Sequence, residues 1–202
     1  MTIVTTHAVV STDGFIADGN DDVGPLFDWY GNGDVEIMLS AGTQATRLSR
    51  ASADYVRPIW ADMRCIIMGR RLFDITDGWQ GIPTAGEHVF VVTHRPAAEW
   101  QGRFPDAPFT FVDGVAAAVE QAKGFAGDGG VTICAGDVAG QAIEAGLVDE
   151  VAMDVVPVVF GQGRRYFGNL DGQVLLEDPY RVVQGDRVMH LRYRVRRAVP
   201  AG

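Results

Sequence analysis

The stretch at residues 65–73 constrains the fold of this chain more than any other. An apolar run at 65–68 (CIIM) stops at Gly69, two arginines follow, and a helical pattern begins. This order is typical of a strand that enters a helix through a glycine turn. The first N–H groups of such a helix are unpaired and point outward, and Arg70 and Arg71 add positive charge. The stretch therefore predicts a phosphate-binding site.

The same order of strand and helix recurs along the chain. It predicts an α/β fold of three layers (α/β/α), with a mostly parallel sheet that ends in an antiparallel C-terminal hairpin. The predicted strands are 2–10, 64–68, 88–93, 131–134 and 148–156, and the hairpin pairs 173–183 with 187–197. The predicted helices are 52–63 with Ser52 as cap, 70–76, 115–123 with Asp113 as cap, and 136–146. Pro58 suggests a kink in the first helix or a later start. No repeat or linker divides the pattern, so we expect a single domain over residues 1–202.

Composition limits the classes of partner. A chain of 202 residues with 47% hydrophobic side chains can bury a full core, and its formal net charge is -9. That sign opposes broad binding to nucleic acids or anionic membranes. The chain has no apolar run of about 18 residues and no basic-then-apolar N-terminus, so we expect a soluble, cytoplasmic protein without membrane contact.

The residues that commonly bind metals do not cluster in the sequence. Cys65 and Cys134 lie in apolar runs, where a thiol usually behaves as a small buried hydrophobe. The four histidines lack paired ligand spacing: they are His7, His88, His94 and His190. We therefore predict no metal site.

The irregular part of the chain is residues 18–33. It is rich in Gly, Asp and Asn but carries Leu26, Phe27, Trp29 and Tyr30. Long loops with aromatic anchors are often lids or pocket walls, and the alternative is a loop packed onto the core. Both interpretations remain open from the sequence.

Several motifs follow one another in the chain: 11–17 (STDGFIA), 68–73 (MGRRLF), 91–96 (VVTHRP), 135–139 (AGDVA) and 148–151 (VDEV), the last continuing through Pro157, Gly161 and Gly163. In this order they resemble the motifs of the dihydrofolate reductase-like superfamily, especially the bacterial branch that includes the C-terminal reductase domain of riboflavin biosynthesis (RibD). Each motif is weak alone, but their order is specific and covers nearly the whole chain.

The resemblance implies that NADPH binds along the carboxyl ends of the strands and delivers hydride to a conjugated heterocycle such as a pterin or a pyrimidine. The implied cofactor-binding residues are Ile16, Ala17, Gly69, Arg70, Arg71, Thr93, His94, Arg95, Ala135, Gly136, Asp137, Val138 and Ala139. Gly69 would let the backbone approach a phosphate, and Arg95 would hold the 2′-phosphate that distinguishes NADPH from NADH. The alternative for each single glycine is that it only ends or separates a helix or strand and does not bind the cofactor.

Two positions depart from the family pattern. Family members have two glycines at the second turn, and the first is Ala135 here, whose methyl group could block a backbone conformation that only glycine adopts cheaply. The pyrimidine-reductase branch tends to carry a glutamate before those glycines, and this chain has Cys134. The second departure argues against a reductase of the riboflavin pathway.

Reduction of a C=N bond also needs a proton, which a carboxyl group with a raised pKa can hold. The resemblance implies two candidate catalytic acids, Asp34 and Asp13, whose alternative roles are a cap or solvated acid and a turn residue. Phe15, Phe27 and Trp29 could stack on the heterocycle, although aromatic core is the default for each.

Three functions therefore remain open: an NADPH-dependent reductase, a protein that binds the cofactor without turnover, and a dimeric scaffold. We favour the reductase, with a small heterocyclic substrate. Relatives commonly form homodimers, and the exposed sheet end and the 157–165 loop would supply the contact.

Overall fold

Eight strands form the central sheet of the computed structural model, which describes residues 2–39 and 45–196. From one edge to the other, the order is β11, β12, β9, β1, β8, β5, β6, β7. The bounds are β1 Val4–Ser11, β5 Met63–Gly69, β6 His88–Val92, β7 Phe109–Val112, β8 Gly130–Cys134, β9 Glu150–Val156, β11 Arg181–Gln184 and β12 Met189–Arg194. The run from β9 to β7 is parallel, whereas β12 pairs antiparallel with both β9 and β11. The predicted mixed sheet is confirmed.

Helices cover both faces of this sheet, as the three-layer prediction requires. The bounds are α1 Arg50–Asp62, α2 Arg70–Thr76, α3 Ala98–Arg103, α4 Val115–Ala126 and α5 Asp137–Glu144. One face packs against α4 and α5 through a cluster that includes Val4, Ile67 and Ile133. The other face packs against α1, through a cluster around Val9, and against α2 and α3. Because side chains alternate along each strand, every central strand contributes to both cores.

Two predicted helix caps are wrong by a few residues. Ser49, not Ser52, caps α1, and its hydroxyl accepts the N–H of Ser52 at 3.4 Å. The helix then passes through Pro58 without ending. Gly114 occupies the cap position of α4, while the Asp113 carboxylate pairs with His94. In both cases the residue at the cap position lies within three residues of the predicted one.

The C-terminal hairpin is shorter than predicted. Only Arg181–Gln184 forms the first strand, and residues 173–180 contribute a single bridge between Leu176 and Val195. The predicted end of the second strand at Arg197 lies outside the described residues. Sequence reasoning also missed β7, α3 and two small pairings: β2 Phe15–Ala17 with β10 Arg164–Arg165, and β3 Val35–Met38 with β4 Ala45–Leu48.

The irregular segment at 18–33 is fixed to the core over much of its length. A 3-10 helix at Gly24–Tyr30 buries Leu26 and Trp29 against Leu48 and Val56 of the α1-side cluster. Its Phe27 remains 42% exposed. The packed-loop interpretation therefore holds for the 3-10 helix. In the described parts of the chain, no helix is both long enough and apolar enough to span a bilayer.

Candidate active site

Two helix N-termini lie side by side at the carboxyl ends of the parallel strands. β5 and β8 are direct neighbours, and each ends in a turn that begins a helix, α2 after Gly69 and α5 after Gly136. A Cβ added to Gly69 would approach Cγ2 of Val138, in the first turn of α5, to 3.1 Å. The structure thus brings the two glycine turns that the sequence singled out to one place, and a side chain at position 69 would crowd Val138.

The turn before α5 needs glycine at only one position. Gly136 adopts a φ of 108°, which L side chains rarely adopt, and its N–H donates to the carbonyl of Tyr166 at 2.7 Å. Ala135 is not among the described non-glycine residues with positive φ. The backbone at Ala135 therefore does not need the conformation that only glycine adopts cheaply, and the methyl group of Ala135 does not block it.

One side of the first turn of α5 is covered by the protein itself. The carbonyl of Phe167 lies so close to Gly140 that an added Cβ would be 2.3 Å away. The carboxylate of Asp137 accepts the N–H of Asn169 at 3.2 Å. The side of this turn that faces residues 167–169 is therefore closed to an anion.

The guanidinium group of Arg70 makes its hydrogen bonds within the protein and not to a ligand. Its Nε donates to Asp74 at 2.6 Å, and one terminal nitrogen donates to the carbonyls of Arg95 and Pro96 at 3.1 and 3.2 Å and, at 3.4 Å, to the hydroxyl of Thr93. The side chain is only 21% exposed. Arg70 thus clamps the loop after β6 onto α2.

Arg71 instead shares a carboxylate with an arginine that sequence reasoning did not select. Asp21 accepts from Nε of Arg71 at 3.0 Å and from Nε of Arg164 at 2.8 Å. Hydrogen bonds from Arg71 and then from Arg164 lower the pKa of Asp21 to about 2. Both arginines remain largely exposed, at 60% and 43%. The arginine doublet 164–165 after Gly163 was the available sequence signal for Arg164.

Arg95 lies at the open edge of the same region. It is 65% exposed and donates to Asp74 at 2.9 Å. The hydroxyl of Thr93 accepts the backbone N–H of Arg95 at 3.0 Å, and His94 is 81% exposed beside Asp113. Exposed pairs of this kind are weak, so a bound anion can replace the carboxylate. We call the region formed by Gly69, Arg71, Arg95, Gly136 and Arg164 the arginine cleft.

Comparison with known protein families agrees with the geometry of this site. Residues 2–188 match the model of the RibD C-terminal domain. The chain belongs to the RibD C-terminal domain family. No curated protein sequence matches it.

Solved structures share the fold of this RibD C-terminal domain at low sequence identity. A protein from Shewanella sp. PV-4 described as a riboflavin biosynthesis protein matches 97% of this chain and 100% of its own, with a TM-score of 0.67 and 18% identity. RibD of Acinetobacter baumannii matches 97% of this chain but 58% of its own, with a TM-score of 0.60 and 16% identity. A pyrimidine reductase-like protein from Corynebacterium diphtheriae matches 98% of this chain and 93% of its own, with a TM-score of 0.61 and 13% identity. The dihydrofolate reductase-like fold expected from the motifs is confirmed.

Of the two predicted acids, Asp13 lies in the turn between β1 and β2, where it fixes neighbouring loops. Its carboxylate accepts from the hydroxyl of Ser11 at 2.6 Å and from the N–H groups of Phe160 and Gly161 at 3.2 and 2.7 Å. The hydrogen bond from Ser11, followed by those of the two backbone groups, lowers its pKa despite some desolvation. Asp13 is therefore not a carboxyl group with a raised pKa, and its proposed position beside a substrate stays a prediction.

The other predicted substrate residues are dispersed. Asp34 is exposed just before β3. Trp29 is 1% exposed and packs edge-on against Tyr30 and His190, so its ring is core and not available for stacking on a substrate. Phe15 is half-buried in β2, and Phe27 is exposed. Only Phe15 is next to the turn that holds Asp13.

A buried polar network escaped sequence reasoning. Asp154, 2% exposed, bonds His190 Nδ1 at 2.6 Å and His7 Nε2 at 2.9 Å, and His190 Nε2 bonds Ser52 at 2.9 Å. Burial opposes ionisation of Asp154, but the charge and hydrogen bonds of the two histidines outweigh it and lower its pKa. We call these four residues the histidine network. They lie on α1 and three separate strands, so no local motif could have revealed them.

The two cysteines have no catalytic environment. Cys65 is buried, and burial raises the pKa of its thiol to about 12. Burial likewise raises the pKa of Cys134 to about 12. Both thiols stay protonated near neutral pH, as expected for small core residues.

Proposed function

We propose that this RibD C-terminal domain is an NADPH-dependent reductase of a small conjugated heterocycle, pyrimidine-like or pterin-like. The observation that carries the proposal is the meeting of two helix N-termini at Gly69 and Gly136, flanked by exposed Arg71, Arg95 and Arg164. A dinucleotide diphosphate needs this combination of close backbone approach and positive charge. Membership of the family supports the reaction class.

The residues present fit the cofactor. Gly69 and the first turn of α5 would receive the diphosphate, and Arg71 and Arg164 would balance its charge after releasing Asp21. Arg95 would bind the 2′-phosphate, because its side chain is exposed and it follows β6, the strand next to β5. NADPH supplies the hydride when it is bound. Arg70 would act indirectly, by holding the loop that carries Thr93 and Arg95.

The substrate side is anchored by Asp13. Because its pKa is lowered, this carboxylate is suited to accept hydrogen bonds from ring N–H groups, not to store a proton. Phe15, two residues along the chain, offers an apolar edge to a flat ring. A solved relative, the deaminase and uracil reductase of Thermotoga maritima, matches 96% of this chain and 56% of its own with 14% identity and a TM-score of 0.60, and its name includes reduction of an aminouracil. This supports a pyrimidine-like substrate first.

A titration with NADPH, followed by steady-state assays with aminopyrimidines and pterins, tests the proposal. We expect saturable NADPH binding that Arg71→Gln weakens, and consumption of NADPH with at least one heterocycle. Binding without consumption would favour a cofactor-binding protein, and the absence of binding would favour a scaffold.

We also propose a homodimer in the cytoplasm. β11 is an edge strand, and the loop at 157–165 carries Val159 with 70% of its surface exposed. An exposed apolar side chain and an open sheet edge each favour association. Sedimentation equilibrium would show a dimer, and Val159→Asp would shift it toward monomer.

A further inference from the structure

A cavity of about 360 Å³ lies between α1 and the sheet, away from the arginine cleft. It reaches the amino ends of the parallel strands, where Ile3, Met63 and Gly130 line it. The arginine cleft is at the carboxyl ends, where α2 and α5 begin. The volume falls in the range of small-molecule sites, and a cofactor bound in the cleft would not occupy it.

The end of α1 at this cavity favours a positive charge. The helix ends at Asp62, and its last turn contains no basic residue. The C-terminus of a helix carries a partial negative charge, so a carboxylate is unfavourable there and a cation is favourable. Asp62 lines the cavity and makes no hydrogen bond or ion pair with any residue that the structure describes. A cation on a ligand would compensate both the carboxylate and the helix end.

The charges of the whole lining have the same preference. Three carboxylates and two arginines line the cavity: Asp62, Glu150, Asp154, Arg181 and Arg192. A neutral His7 ring donates its Nε2–H to Asp154 at 2.9 Å, which leaves Nδ1 as an acceptor. In that state the lining carries one net negative charge. A bound cation would cancel this charge, whereas a bound anion would double it.

The inner end of the cavity has a buried hydroxyl without a partner. Tyr55 is 3% exposed and lines the cavity, yet its hydroxyl makes no hydrogen bond within the described part of the chain. Its ring is fixed between the ring of His190, at 4.3 Å, and the guanidinium of Arg181, at 4.9 Å. A buried polar group left unpaired costs free energy, which a hydrogen bond from a ligand would recover.

The two ends are spaced for a small aromatic molecule. Tyr55, Ile59 and Asp62 follow the i, i+4, i+7 spacing of one helix face. Tyr55 and Asp62 are therefore about 10.5 Å apart along the axis, at 1.5 Å per residue. The wall between them is apolar and includes Ile59 and Trp60. A single aromatic ring with an ethyl side chain can reach both ends once its hydrogen bonds are counted.

We propose that this cavity is a second binding site, for a small hydroxylated aromatic amine, with the ammonium group at Asp62 and the hydroxyl at Tyr55. Nδ1 of His7 is a further acceptor for the hydroxyl. The site depends neither on the arginine cleft nor on NADPH.

Calorimetric titration of the whole protein with tyramine, at about pH 8, tests this site. At this pH an ordinary histidine ring is neutral. We expect saturable binding. Tyrosol, which has a neutral hydroxyl in place of the ammonium, should bind about tenfold more weakly. Phenethylamine, which lacks the phenolic hydroxyl, should bind about fivefold more weakly. Desaminotyrosine, an anion of the same shape, should not bind.

Variants at the two ends separate the two contacts. Asp62→Asn should weaken tyramine about tenfold and leave tyrosol unchanged, because only tyramine carries the charge. Tyr55→Phe should remove the preference for tyramine over phenethylamine. Asp62 is exposed, so its variant should fold even if Tyr55→Phe does not. Asp54→Asn, exposed on the same helix, is the matched control for the change in charge and should leave tyramine affinity unchanged.

Three results would overturn the proposal. They are the absence of tyramine binding, binding of desaminotyrosine as tight as that of tyramine, and equal affinities of Asp62→Asn and Asp54→Asn for tyramine. Tyramine should also leave the NADPH titration unchanged, and competition between the two would place tyramine in the arginine cleft instead. A protein that fails to bind NADPH but still binds tyramine would refute the proposed function alone.

Discussion

Asp21 and Asp154 are both carboxylates held between two side chains that donate to them, but they lie in opposite surroundings. Asp21 bridges Arg71 and Arg164 at the arginine cleft, where both guanidinium groups are exposed. Asp154 bridges His7 and His190 inside the sheet core and is 2% exposed. Both have lowered pKa values, so both are ionised near neutral pH.

The difference separates exchangeable ion pairs from permanent ones. Water screens the pairs of Asp21, so they contribute little to stability and an anionic ligand can replace the carboxylate at small cost. Asp154 is buried away from water, and removing one of its histidine partners would leave an uncompensated buried charge. We therefore propose that ligands exchange at the arginine cleft and that the histidine network gives rigidity.

The largest expected effect is on folding. Asp154→Asn keeps the shape but presents an NH₂ group where one imidazole N–H now donates, so we expect the free energy of unfolding to fall by about 3 kcal/mol. Urea unfolding followed by tryptophan fluorescence measures it. Asp34→Asn, at an exposed position, is the control and should change stability by less than about 0.5 kcal/mol. Equal effects of the two variants would contradict the structural role of Asp154.

The next effect is on cofactor choice. Arg95→Ala should weaken NADPH by roughly 1.5 to 3 kcal/mol and leave NADH nearly unchanged, because only NADPH has the 2′-phosphate. Fluorescence titration with both dinucleotides measures the ratio, with Arg47→Ala as a control for lost charge. Equal weakening of the two dinucleotides would contradict the role of Arg95.

The pH dependence of stability should also follow Asp154. A carboxyl whose pKa is lower in the folded protein stabilises it above the unfolded value, about 3.9, and this contribution is lost as the pH falls below that value. From pH 5 to pH 3, the wild type should therefore lose about 1 kcal/mol more stability than Asp154→Asn. Urea unfolding at both pH values gives the difference. Parallel losses would mean that Asp154 is not ionised in the fold.

The smallest effect concerns Asp21, the carboxylate that two exposed arginines share. Asp21→Asn removes the group that competes for Arg71 and Arg164, so NADPH should bind about threefold more tightly, in keeping with the low value of exposed ion pairs. Asp28→Asn, exposed in the same segment, is the control for the change in net charge. Weaker binding by Asp21→Asn would show that Asp21 positions the arginines for the ligand instead of competing with it.

Local signals accounted for much of the fold and part of the cleft. The turns at Gly69 and Gly136 could be predicted because a strand, a glycine and a helix start follow one another within a few residues. The same reasoning could not predict that Arg70 would donate its hydrogen bonds to the loop after β6. Nor could it predict that Arg164 would bind the same carboxylate as Arg71. Which arginine remains available depends on carboxylates and carbonyls that lie far away in the sequence.

The amino-acid sequence by itself determined the layered α/β architecture, the family and the glycine turns, because periodicity and turn chemistry act between near neighbours. Only the tertiary structure decided that Trp29 is core, that Asp13 is ionised and tied to the 160–161 loop, and that Asp154 joins two histidines 147 and 36 residues away. Hydrogen bonding and desolvation depend on which groups meet across strands. Strand order and register determine which groups come into contact, and the sequence of a single segment does not specify either of them.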